Sequence, residues 1–125
     1  MKRSCLAALL VLGLAFVVSA SAEEQQLTDL TLLVGKWKGW SKTSQSTNIP
    51  IEMDVQADGA YKMTAYLRQG AQTFTGTFFL EGGKLRVKTS DGVLGSYVLS
   101  VDNGKRILKG GRDNAIAVNE LEWVK

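Results

Sequence analysis

The sequence predicts an all-β fold: an eight-stranded antiparallel up-and-down β-barrel with a short helical turn before the first strand. Three observations carry this. From Trp37 onward, apolar and polar residues alternate with period two. Short turns rich in Gly, Asp and Asn interrupt the alternation. Each turn, taken at its natural length, brings inward residues opposite inward residues, and a slip of one residue would invert the whole strand. One domain suits a chain of 125 residues.

Residues 1–22 read as a secretory signal peptide. Lys2 and Arg3 supply the positive start, an apolar run follows from 6 to 18, and Ala20-Ser21-Ala22 forms an A-x-A cleavage site. That run is too short for a membrane span. Cys5 precedes it, where a lipoprotein cysteine would follow it. Cleavage after Ala22 leaves a periplasmic or secreted chain, with a lead over 23–34 and a barrel over 35–125. In the lead, 23–26 is polar and expected to fray. Residues 27–33 suit one or two helical turns capped by Thr28 or Asp29.

The strands follow at 36–42, 48–56, 60–69, 72–81, 84–89, 93–102, 105–110 and 115–124. The second is the clearest: Ile49, Ile51, Met53 and Val55 share one face, and Glu52, Asp54 and Gln56 the other. Pro50 suits a strand entry. Ala57-Asp58-Gly59 sets Val55 opposite Tyr61 and Met53 opposite Met63. Gly70-Ala71 sets Leu67 opposite Phe74 and Met63 opposite Phe78. Gly82-Gly83 sets Phe78 opposite Val87, and Ser90-Asp91-Gly92 sets Leu85 opposite Tyr97. Asn103-Gly104, the strongest hairpin signal, sets Leu99 opposite Leu108. The loop 111–114 sets Leu108 opposite Ala117 and Arg106 opposite Asn119. Pairing the last strand with the first removes both sheet edges. A two-sheet sandwich is the alternative.

The register makes the two ends unlike. Bulky inward residues, among them Trp37, Phe78, Leu99 and Trp123, gather at the end where the first strand starts. Small ones, among them Gly39, Gly95 and Gly110, gather at the other. This describes a plugged floor beneath a roomy mouth. The candidate cup residues are Ser41, Ile49, Ile51, Ala65, Leu67, Phe74, Gly76, Thr89, Tyr97 and Ala117, with Ser41, Thr89 and Tyr97 as the polar contacts. The candidate closed-end residues are Trp37, Arg106, Asn119 and Trp123, Arg106 stacking on Trp37 or Trp123. The competing reading of the glycines is that they mark sharp bends at barrel corners.

Charge and composition exclude much. The formal charge of +3 falls to about +1 once Lys2 and Arg3 leave, so nothing favours nucleic acid. The only Cys leaves too, so the mature chain has no disulfide. There is no His, hence no Ser-His pair and no imidazole metal ligand. The carboxylate pairs Glu52/Asp54 and Glu120/Glu122 point outward. No catalytic residue, metal or cofactor is expected, and a monomer is favoured. Lys84, Arg86 and Lys88 form an outward basic stripe, read as a solubilising face. Trp40, Tyr66 and Phe79 are outward aromatics that would suit a partner surface.

Gly35-Lys36-Trp37, after a short helical turn, resembles the G-x-W signature that opens the first strand of lipocalins. The resemblance implies a cup for a small hydrophobic molecule, with that Trp at the closed end and an Arg packed over it. Arg106 is the candidate for that Arg, although the family takes it from the last strand. The chain departs from full lipocalins in its length, its lack of disulfides and the missing helix after the last strand. It looks more like the lipocalin-like domains of small bacterial secreted proteins. Gly35-Lys36-Trp37-Lys38-Gly39 is also similar to the opening of nitrobindin-type barrels, but those hold haem through a His. The expected function is non-enzymatic binding of a small hydrophobic ligand. The alternative is a filled barrel acting through its outer surface.

Overall fold

A computed structural model describes residues 23–24, 27–43 and 48–125. Residues 1–22, read above as a signal peptide cleaved after Ala22, lie outside the described residues, as do positions 25–26 and 44–47. The strands are β1 (Glu23–Glu24), β2 (Gly35–Lys42), β3 (Asn48–Val55), β4 (Ala60–Leu67), β5 (Gly70–Glu81), β6 (Lys84–Thr89), β7 (Leu94–Asp102), β8 (Lys105–Arg112) and β9 (Val118–Val124). β2 to β9 pair antiparallel in up-and-down order, and the β2–β9 and β7–β8 pairings complete a closed eight-stranded barrel. A 3-10 turn, Thr31–Leu33, precedes β2. Its N-cap is Leu30, not Thr28 or Asp29, and no side chain caps it; Asp29 instead accepts the Thr31 backbone N–H (2.9 Å) in an Asx turn just ahead.

Most of the register follows the alternation. Val55 faces Tyr61, Met53 faces Met63, Phe78 faces Val87, Leu85 faces Tyr97 and Leu99 faces Leu108. Inward Trp37, Phe78, Leu99, Leu108 and Leu121 are almost fully buried, and Leu33 of the lead joins them.

Two hairpins differ from expectation, each by four residues. The β4–β5 turn is Arg68-Gln69, with Leu67 opposite Gly70, so Met63 faces Phe74 rather than Phe78. Gly70 takes φ +132°, a conformation open to Gly, and this tightens the turn ahead of the expected place. The β8–β9 connection is longer than expected. β8 runs to Arg112 and β9 begins at Val118, so Leu108 faces Leu121 rather than Ala117. Asn114, at φ +63°, turns the chain there, and Asp113 donates its backbone N–H to the Leu94 carbonyl. Arg86 locks this connection. It donates to both Asp113 carboxylate oxygens (3.2 Å) and to Ser96 (2.6 Å). It is therefore the engaged member of the outward basic stripe.

Half of the polar segment expected to fray, 23–26, is described, and it is paired. Glu23 and Glu24 do not fray but pair with Val101 and Ser100, on the β6 side of β7 beyond the reach of β6. Leu27, Leu30 and Leu33 then pack on the barrel floor. Three successive carbonyls of the lead accept side-chain hydrogen bonds: Leu32 from Arg106 (3.1 Å), Leu33 from the Trp37 indole (2.8 Å) and Val34 from the Trp123 indole (3.0 Å). These bonds satisfy carbonyls that so short a turn leaves open.

Candidate functional site

The open end of the barrel holds a cavity of about 550 Å³. Among the described residues, its rim is formed by the connections β4–β5, β6–β7 and β8–β9. Nine of the ten sequence-derived cup residues line it: Ser41, Ile49, Ile51, Ala65, Leu67, Phe74, Thr89, Tyr97 and Ala117. Strand pairing explains their convergence. Ser41 on β2 sits between Ile49 on β3 and Asn119 on β9, and Ile51 faces Ala65. The four-residue shift of β5 carries Phe74 down from its expected place beside Leu67 to a place opposite Met63, where it is still 46% exposed.

Gly76 does not line the cavity. A β-carbon there would lie 2.7 Å from the Tyr61 ring and 2.5 Å from the Lys88 carbonyl oxygen, so Gly76 is the seat on which Tyr61 packs. At Gly39 a β-carbon would overlap the Glu120 carbonyl. Both glycines mark close approach at bends, which is the competing reading of the small inward residues.

The floor of the cup is aromatic. The Phe78 ring lies between Tyr61 (centroids 5.2 Å apart) and Tyr97 (5.5 Å). Tyr97 is 6% exposed, and its hydroxyl oxygen accepts a hydrogen bond from the Asn119 side-chain amide (2.8 Å). Burial pushes the Tyr97 phenol up to about 12, so it stays a protonated donor at any physiological pH. Burial, and secondarily Asp91, also raise the Tyr61 phenol.

Asn119 thus moves from its expected place. The β8–β9 shift sets it opposite Gly110, at the cup, instead of opposite Arg106 at the closed end. Trp37, Arg106 and Trp123 do gather at the closed end. The Arg106 guanidinium lies 4.1 Å from the centroid of Trp123, not over Trp37. Thr89 reaches the cavity, but its hydroxyl is committed to the β6–β7 turn: it donates to Asp91 and accepts the Val93 backbone N–H (2.9 Å). Sequence reasoning missed Tyr61 and Met63 as lining residues, and the rim residues Gln72, Val93, Arg112, Asp113 and Asn114. Tyr61 and Met63 are assigned to the floor by the alternation, and the floor is also the bottom of the cup. Val93, Asp113 and Asn114 sit on connections, where alternation carries no signal, and Gln72 and Arg112 lie near the strand ends of the two hairpins whose register shifted.

Outside the barrel, the paired carboxylates meet lysines. Asp54 pairs with Lys36, Glu52 with Lys38, Glu120 with Lys42 (2.9 Å) and Glu122 with Lys105. The Lys42 hydrogen bond lowers the Glu120 pKa. Trp40 is 48% exposed and faces Pro50 across the β2–β3 pair. Tyr66, exposed on β4, donates to Glu52 (3.0 Å), whereas Phe79 is half-buried opposite Arg86. Among the described residues no group of His, Cys, Asp and Glu is placed to hold a metal ion, and no helix is long and apolar enough to cross a membrane. The closed antiparallel barrel is compatible with the calycin-like architecture that Gly35-Lys36-Trp37 implies. Comparison with protein-family models, with curated proteins and with solved structures yields no match to this chain.

Proposed function

We propose that this is a periplasmic or secreted lipocalin-like protein that binds a small hydrophobic molecule, without catalysis, in the open end of its barrel. One observation carries the reading: a cavity of about 550 Å³ whose walls include Ile49, Ile51, Met63, Ala65, Leu67, Phe74, Val87 and Val93, with its charged side chains, Arg112 and Asp113, at the rim. Apolar wall of this kind gains free energy when a ligand replaces its water. The non-enzymatic part rests on the polar groups being engaged elsewhere, Thr89 in a turn and the outer carboxylates with lysines.

The test is a fluorescence titration of the chain from residue 23 with N-phenylnaphthylamine, which brightens in an apolar site. Saturable binding is expected. Ala117→Phe, which fills the cup, should weaken it by about ten-fold, or roughly 1.4 kcal/mol, and the outward substitution Lys88→Ala should not. No binding, or binding indifferent to Ala117→Phe, overturns the proposal. The second reading, an interaction module acting through its outer face, draws on exposed Trp40 beside Pro50. It would predict that Trp40→Ala, not Ala117→Phe, removes the protein's association with envelope components.

A further inference from the structure

We infer that the cup selects an amphiphile with a neutral acceptor head, an apolar chain ending in an ester, ketone or amide carbonyl, and that it takes this head first onto the Tyr97–Asn119 pair. This rests on the cup reading and goes beyond it in naming the ligand's chemistry and its direction of entry.

The argument starts from donors. Tyr97 and Tyr61 are both buried, at 6% and 8% exposure, and both line the cavity. Tyr97 oxygen accepts from Asn119, so its own proton is left to give away. With the Asn119 amide turned over, Tyr97 donates to Asn119, and the two amide hydrogens are left instead. In either arrangement the pair presents one donor or more to the cavity. The Tyr61 hydroxyl makes no hydrogen bond among the described residues, which adds a second. A buried donor without an acceptor costs free energy, and a ligand carbonyl would relieve it.

The charge of the head follows from what surrounds the floor. Among the described residues Arg112 is the one cation that lines the cavity, and it is exposed at the mouth. Arg106 lies at the opposite end, committed to Trp123 and the Leu32 carbonyl. The charge of Arg112 is felt as far as Tyr61, but the Asp91 carboxylate acts there more strongly and with opposite sign, so an ionised carboxylate at the floor would lose its water with no net countercharge. A neutral carbonyl loses far less. From the floor, Ile49, Leu67 and Phe74 give an apolar path to the rim for the chain.

The test compares dansyl-undecanoic acid with its methyl ester at neutral pH, each set against N-phenylnaphthylamine, which offers no carbonyl. The ester should bind more tightly than the acid. Tyr97→Phe should lower the ratio of ester to N-phenylnaphthylamine affinity roughly five- to ten-fold, the worth of one neutral hydrogen bond. Circular dichroism confirms that the variant is folded, and the near-isosteric Asn119→Leu checks the other half of the pair. Tighter binding of the acid, abolished by Arg112→Ala, would put the head at the rim and overturn the inference. A ratio unchanged in Tyr97→Phe would overturn it too, while leaving the cup standing. Failure of N-phenylnaphthylamine itself to bind would remove the cup and this inference together.

Discussion

Arg106 shows how one charged side chain can be inward without being stranded. Its guanidinium stacks on Trp123 and its Nη1 donates to the Leu32 carbonyl, so it joins the lead to the last strand. Replacing it removes a cation–π contact and a charge-assisted hydrogen bond at once. Arg106→Ala should cost about 2 kcal/mol, whereas Lys88→Ala, on the exposed side of β6, should stay within about 0.5 kcal/mol. Denaturant melts of both variants check this, and equal small losses would refute the assignment. Tyr97 makes a prediction about pH. Its phenol ionises near 10 in an unfolded chain and at about 12 in the folded one. Between these values the unfolded state holds fewer protons, so stability falls as pH rises; below 10 the contribution is complete. Tyr97→Phe should therefore flatten the loss of stability between pH 10 and 12, read as Tm against pH.

Among the elements, β2 and β9 carry the most demanding junction. Gly39 faces both Ile51 and Leu121, and the β9 backbone passes so close that no β-carbon fits. Gly39→Ala must push the two strands apart, at about 3 kcal/mol, with faster amide exchange along β9 as the local signature. Exchange confined to some other strand pair would contradict this. The same scale shows what the sequence could and could not disclose. Alternation identified the inward face of every strand, and with it nine of the ten cup residues. It is blind to slips of two or four residues, which preserve the face. Hence Met63 was set against Phe78 and Asn119 against Arg106, although every one of these residues points inward as expected. Gly76 was legible as small but not as the seat of Tyr61, because the expected register, four residues off, did not set these two β4–β5 partners opposite each other. The pairing of Glu23–Glu24 had no pattern to betray it: two polar residues on a short edge look like any frayed end.

Across the whole molecule, the two ends do separate work. The closed end is fixed by indole and guanidinium donors on three consecutive carbonyls of the lead, and by the buried layer around Trp37 and Leu121. The open end is held by turn chemistry, including Arg86 on Asp113 and the Thr75–Ser90 hydroxyl pair, and leaves the cup between them. If the cup binds as proposed, stability and recognition draw on different residues. Substitutions in the cup, such as Ala117→Phe, can change binding while the floor keeps the fold.

The β2–β9 seam also sets an order in time. Lys36 pairs with Val124 and Trp37 with Trp123, so the first long strand finds its second neighbour only among the final residues of the chain. Until those residues exist, a nascent chain is an open sheet with two unsatisfied margins, and the lead lacks the Trp123 donor that anchors Val34. Such end-to-end pairing is slow to find, on the order of milliseconds to seconds in small β-proteins. Without β9 the sheet keeps one free margin on β2 and another on β8, and the closing of this seam is what seals the barrel against its own kind.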